Sequence, residues 1–114
     1  MGFRLEKVNS LLAHELSEIF LREMEFPPNV LVSVTHAEVA EDLKQVKIFI
    51  SVMPFKEGRT ILGLLDKNIF RIQQALNKRL KMRRVPKIVF KIDPSIDQAA
   101  RVEKLLAEDE QNFS

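Results

Sequence analysis

From Phe3 to about Met24, apolar residues fall at three- and four-residue steps: Leu5, Val8, Leu12, Leu16 and Ile19, with Leu11 and Phe20 widening the stripe. That spacing predicts one long amphipathic helix. Phe26-Pro27-Pro28-Asn29 ends it, because proline lacks an amide donor and pushes the residue before it out of the helical region. The period then drops to two. Val30 to Ala40 reads as a strand with Val30, Val32 and Val34 on one side. Gln45 to Met53 reads as a second, with Val46, Ile48, Ile50 and Val52 alternating against Lys47, Phe49 and Ser51. Glu41-Asp42-Leu43-Lys44 is short enough to join them as an antiparallel hairpin.

Pro54 to Gly58 breaks the pattern, and Ile61, Leu62, Leu64 and Leu65 begin a short helix. A longer helix is predicted from about Ile69 to Met82, with Ile69, Ile72, Ala75, Leu76 and Leu80 as its stripe. Asp66-Lys67-Asn68 is the joint between the two, since Asn tolerates the left-handed conformation. After Val85-Pro86, Lys87 to Ile92 is a third strand, with Ile88, Phe90 and Ile92 alternating against Lys87 and Lys91; Asp93-Pro94-Ser95 stops it. A weaker helix is expected from about Ser95 to Ala107, followed by the acidic tail Glu108-Asp109-Glu110.

The order α-β-β-α-α-β predicts an α+β fold of two layers. A right-handed crossover into the third strand completes a mixed three-stranded sheet with helices on one face. This is the order of a type II KH domain, a fold used for nucleic-acid binding. The expected division is a KH-like RNA-binding domain over residues 1–94 and a partly flexible C-terminal helix and acidic tail over residues 95–114.

Composition narrows the function classes. The 114 residues suit one domain, and 46% apolar with 30% charged residues is a globular balance. Without cysteine there is no disulfide or thiolate chemistry, and the cytoplasm is the default compartment. Met1-Gly2-Phe3-Arg4-Leu5-Glu6 lacks an apolar signal core, and no apolar run approaches the roughly 20 residues that span a bilayer. No membrane association is expected.

The net charge of +2 conceals a segregation. Lys67 to Ile92 holds nine basic residues and no acidic one, whereas the rest of the chain holds nine basic and 16 acidic residues. Such a segment points to a polyanionic partner on one face. Arg71, Gln74, Lys78 and Lys81 fall at helical spacing on the side opposite the apolar stripe; Arg79 lies off to one side, and Arg83, Arg84 and Lys87 follow the helix end. Lys67, Arg71, Lys78, Arg79, Lys81, Arg83, Arg84 and Lys87 are therefore the candidate phosphate contacts, with Arg4 and Lys7 as additional ones. No acid within the segment relieves their repulsion.

Enzymatic constellations are poorly represented. His14 and His36, the only histidines, lie on different elements, which disfavours a metal or a triad. Gly58 and Gly63 have P-loop spacing but continue as Leu64-Leu65, where Lys and Ser or Thr belong. Glu41-Asp42 reads as solvated turn chemistry. No catalytic residue, cofactor or metal is expected. The joint lacks the Gly-x-x-Gly of KH domains, and with no Trp or Tyr the aromatics available for base stacking are scarce, Phe55 and Phe70 excepted. Recognition by charge and shape is the implied mode.

Several stretches together resemble the ribosome-binding factor A family. They are Arg4 with the opening helix; Val32-Ser33-Val34-Thr35 leading through Glu38-Val39-Ala40-Glu41-Asp42-Leu43 to Val46-Lys47-Ile48-Phe49-Ile50-Ser51; Arg71-x-x-x-x-Leu76-x-x-x-Leu80-x-Met82-Arg83-Arg84-Val85-Pro86; and Phe90-Lys91-Ile92-Asp93-Pro94-Ser95. Where that family typically has Ala-x-Gly at the helix joint, this chain has Asp66-Lys67-Asn68. The resemblance implies a monomeric, non-enzymatic, cytoplasmic assembly factor. It would bind the immature 30S subunit through 16S rRNA, assist maturation of the 5′ end region, and leave before translation, often with an assembly GTPase. The competing reading is a KH-like module whose basic face meets an acidic protein.

Overall fold

The computed structural model describes residues 2–94, with side chains from residue 4 onward. Helix α1 (Gly2–Glu23) is followed by β1 (Leu31–Val39), β2 (Gln45–Met53), α2 (Gly58–Lys67), α3 (Ile69–Arg79) and β3 (Lys87–Ile92), which is the order the periodicity indicates. The helix expected from about Ser95 and the acidic tail lie outside the described residues. Strand β2 is central, antiparallel to β1 and parallel to β3. The fold is α+β with type II KH order, a mixed three-stranded sheet carrying its helices on one face.

The two-residue period of β2 decides that arrangement. Val46, Ile48, Ile50 and Val52 are all buried, and they meet Leu12, Leu16, Ile19 and Phe20 of α1, Ile61 and Leu65 of α2, and Ile72 and Leu76 of α3 in one core. Ile88 and Phe90 of β3 join the same layer. Each such side chain contributes about 1.5–3 kcal/mol on burial, so the period-2 and period-3.6 stripes dominate the energetics. Leu11, 44% exposed, falls outside the stripe of α1, because one step from Leu12 turns the side chain through more than a quarter of the helix. Phe20 lies inside it and meets Phe26 edge-on, with ring centres 5.5 Å apart, which fastens the chain leaving α1 to the core.

Strand β1 departs from plain alternation. Val34 pairs with Ile50 and His36 with Phe49, so Thr35 is an extra residue, a β-bulge. The bulge lets Val34 and buried Ala37, three residues apart, face the same layer. The Thr35 hydroxyl donates to the Phe49 carbonyl at 3.1 Å, and His36 lands on the open face of the sheet, stacked on Phe49 with ring centres 4.4 Å apart.

The left-handed conformation expected at the joint occurs elsewhere. Asn68 has φ −104° and ψ 12°. Its amide Nδ2 donates to the Leu64 carbonyl at 2.9 Å, and its backbone N–H reaches Leu64 and Leu65, so α2 and α3 are joined by one residue that satisfies the end of the first helix. Positive φ is found at Asn29 (68°), in the turn after the prolines, and at Leu43 (61°), in the β1–β2 turn. Asn takes this conformation readily; a leucine rarely does.

Candidate nucleic-acid interface

The basic segment divides into paired and unpaired cations. Arg71 meets Glu23 at 3.3 Å, and Arg79 Nε donates to Glu15. Both acids stand on α1, so the absence of acids within the segment overlooked partners supplied by the helix packed beside it. Lys78 on the last turn of α3, Lys81, Arg83 and Arg84 in the following loop, and Lys87 at the start of β3 are exposed. None of these five forms an ion pair or a side-chain hydrogen bond with another described residue. Lys67 is exposed at the opposite end of α3. Arg4 and Lys7 are exposed on the first turns of α1 and do not line the clefts beside the unpaired group.

Helix α3 stops at Arg79, short of the Met82 indicated by its apolar spacing. Leu80 is extended, with φ −100° and ψ 136°, yet still buried, and the chain leaves the helix axis there. Lys81 is accordingly not on the helical stripe with Arg71, Gln74 and Lys78. The stripe is shorter, and the loop carries more of the charge.

That loop is fastened where it enters β3. Gln73 Oε1 accepts the Ile88 backbone N–H at 3.0 Å, and Gln73 Nε2 donates to the Pro86 carbonyl at 3.0 Å. The Lys87 N–H donates to the Lys44 carbonyl at 3.0 Å, joining the start of β3 to the β1–β2 turn. Between that turn and the loop lies a cleft of about 670 Å3, walled by Asp42, Leu43 and Lys44 on one side and by Met82, Arg83, Arg84, Val85 and Lys87 on the other. A second cleft, about 410 Å3, opens on the α3 side of the loop and shares Met82, Arg83, Val85 and Lys87. The larger cleft has three apolar side chains, four cations and one acid, Asp42, whose Oδ1 accepts the Lys44 backbone N–H at 3.0 Å.

The joint end of α3 has the opposite character. The cleft of about 490 Å3 beside Asn68 is lined by Glu23 and Glu25 as well as Arg22 and Arg71. Asp66, Lys67 and Asn68 offer no glycine amides there, although Phe70, 74% exposed, stands next to them. Phe55, the other candidate for stacking, is half-buried.

Among the described residues no group of three His, Asp or Glu side chains is placed to hold a metal ion. Gly58 and Gly63 lie within α2, so their spacing belongs to a helix rather than a phosphate-cradling loop. His36 lies 3.6 Å from both Glu38 and Asp93, has the Thr35 hydroxyl 3.1 Å from its Nδ1, and stacks on Phe49. No helix among the described residues is long and apolar enough to cross a membrane.

Residues 4–106 match the family model of ribosome-binding factor A. The chain belongs to that family. It is 38% identical to ribosome-binding factor A of Natranaerobius thermophilus over 92% of this chain and 81% of that protein. It is 36% identical to the Halothermothrix orenii protein over 90% of this chain and 85% of that one. Among solved structures, the crystal structure of ribosome-binding factor A from Thermus thermophilus superposes with a TM-score of 0.66 at 22% identity, covering 77% of this chain and 93% of the other. A homology model of the Thermus thermophilus factor, fitted into a cryo-EM map of its 30S complex, gives the same TM-score, 0.66, at 24% identity, covering 76% and 92% of the two chains. At these identities the likeness speaks for the ribosome-binding factor A fold alone.

Within that fold, the residues absent from the periodicity are those that act across elements. Glu15 and Glu23 pair with the basic segment, Gln73 fastens the loop, and Leu43 and Lys44 complete the larger cleft. The parallel pairing supplies a signal for the last two: Lys87 stands opposite Gln45, which brings the α3–β3 loop beside the β1–β2 turn.

Proposed function

We propose that this chain is a 30S-binding assembly factor whose contact with 16S rRNA is made by the unpaired cations at the C-terminal end of α3. The observation that carries the reading is the division of the basic segment within a ribosome-binding factor A family member. Lys78, Lys81, Arg83, Arg84 and Lys87 are exposed without acid partners among the described residues, and Lys44 joins them across the larger cleft. Arg71 and Arg79 are held by α1 and take a secondary part; Lys67 lies at the other end of α3, and Arg4 and Lys7, on the first turns of α1, do not line the clefts. Lys78 and Arg79 also offset the partial negative charge at the helix end, a structural role that accounts for two cations but not for those beyond Leu80.

Phosphate binding here rests on charge and on a tethered loop. Gln73 and the Lys87–Lys44 hydrogen bond hold the backbone where the loop enters β3, beside Arg84 and Lys87, so less ordering entropy is lost there when RNA docks. Residues 1–94 carry this activity. The protein works as a cytoplasmic, non-enzymatic monomer, assists maturation of the rRNA 5′ end region, uses no cofactor, makes no membrane contact, and leaves the subunit before translation alongside an assembly GTPase.

The test is sedimentation of the full-length protein with purified small subunits, large subunits and assembled ribosomes across a salt series. Selective cosedimentation with small subunits is expected. Four to six phosphates neutralised would give an affinity that falls with a log–log slope of about −3 to −5. Salt-insensitive binding, or equal binding to every particle, would remove the basis for the reading. Capture of an acidic protein that rRNA does not displace would favour a protein-interaction module.

A further inference from the structure

The cleft between the β1–β2 turn and the α3–β3 loop differs from a solvated basic patch. Its two walls carry apolar side chains, Leu43 on one and Met82 and Val85 on the other, interleaved with Lys44, Arg83, Arg84 and Lys87. Phosphate binding alone needs no apolar lining; a nucleobase does, and bases outside a helix stack on apolar side chains or on guanidinium planes. The volume of about 670 Å3 falls in the range of small-molecule sites, roughly 300–1,000 Å3.

The turn supplies a second observation. Leu43 holds φ 61° in a position that hairpins ordinarily give to Gly or Asn, and its side chain is 39% exposed at the cleft wall. A leucine costs stability in that conformation, so its presence calls for something the side chain does. It contributes the apolar wall opposite Met82 and Val85.

We propose that this cleft receives one unpaired nucleotide of RNA, its base lying against Leu43, Met82 and Val85 and its phosphates held by Arg83, Arg84 and Lys44. The inference rests on the rRNA-binding reading and adds that the bound RNA presents an unstacked nucleotide rather than a continuous duplex. It also separates the site from the helix joint, at the other end of α3, where KH domains carry their glycines. Asp42 is the only lining side chain able to accept a hydrogen bond from a base, and its Oδ1 already accepts from Lys44.

The experiment uses the full chain and two RNA hairpins, one with a single bulged 2-aminopurine and one fully paired with 2-aminopurine at the same site. Wild type binds the bulged hairpin about tenfold more tightly, the order expected when one base finds a stacking surface, and the fluorescence of the bulged probe changes on binding. Leu43→Asn keeps the turn and the charge, and abolishes both the preference and the fluorescence change. Equal affinity for the two hairpins, or an unchanged bulged-probe signal with wild type, overturns the nucleotide site while salt-sensitive binding of both hairpins leaves the rRNA reading standing. Absence of binding to either hairpin and to small subunits overturns both. A Leu43→Asn protein that folds, by circular dichroism, and keeps the full preference also overturns the proposed site.

Discussion

Gln73 accepts the Ile88 backbone N–H at 3.0 Å through its side-chain carbonyl, an α3 side chain standing where a strand partner would. Its amide nitrogen reaches the Pro86 carbonyl at the same distance, so one side chain satisfies two main-chain groups at the entry to β3. Replacing it leaves a partly buried donor and an acceptor unpaired, and an unmet buried group costs about 1–3 kcal/mol. Gln73→Leu is expected to lower stability by that order in urea unfolding. Gln73→Glu keeps the acceptor for Ile88 and should lose less. A Gln73→Leu protein as stable as wild type would mean the loop is fastened by its packing alone.

Glu15 and Glu23 hold Arg79 and Arg71, and under the proposed reading they would compete with RNA for them. The Arg71–Glu23 pair is exposed, and such a pair contributes about 0–1 kcal/mol, so Glu23→Gln should unfold within about 1 kcal/mol of wild type; Arg79–Glu15 is more enclosed, and Glu15→Gln should cost more. Freeing the two arginines should raise affinity for rRNA. It should also steepen the log–log salt slope by about 0.7–0.9 for each new phosphate contact. An unchanged slope, measured by fluorescence anisotropy, would assign Arg71 and Arg79 to holding α3 against α1.

Arg83 and Arg84 are exposed and belong to no core cluster. Arg83→Glu with Arg84→Glu is therefore expected to abolish cosedimentation with small subunits while the thermal midpoint moves by only a few degrees. The reversal removes two favourable charges and introduces two repulsive ones beside Lys44 and Lys87. A double variant that unfolds would place these arginines in the structure rather than the interface.

What the sequence reveals follows from the range of each interaction. Strands Gln45–Met53 and Lys87–Ile92 are legible because each side chain reports its own face, and the core of Leu12, Leu16, Ile48, Ile72 and Leu76 follows from spacing alone. The bulge at Thr35 appears only as a three-residue gap between Val34 and Ala37, which a uniform period passes over. The end of α3 at Arg79 is set by Leu80 turning into the core and by Gln73 fastening the loop, neither of which is local. The candidate site divides the same way. The cations are visible as composition, but which of them remain unpaired depends on Glu15 and Glu23 arriving from a helix more than 45 residues earlier.

Leu43 offers a case where stability and binding should move in opposite directions. Its φ of 61° belongs to the left-handed region, which costs an L-residue with a bulky side chain roughly 1–2 kcal/mol. Asn occupies that region with less strain and gives up only the contacts of a partly exposed side chain. Leu43→Asn is expected to raise the unfolding free energy by about 0.5–1 kcal/mol in urea denaturation, with the two hydrogen bonds of the turn, Leu43 N–H to Ala40 and Ala40 N–H to Gln45, both at 2.8 Å, unaffected. A destabilised variant would mean that the leucine side chain contributes more by packing on Met82 and Val85 than its backbone loses. The turn would then be explained by folding, without reference to a ligand. A stabilised variant with weakened RNA binding would leave the strain without a folding role, which is what a leucine kept for its contact with RNA requires.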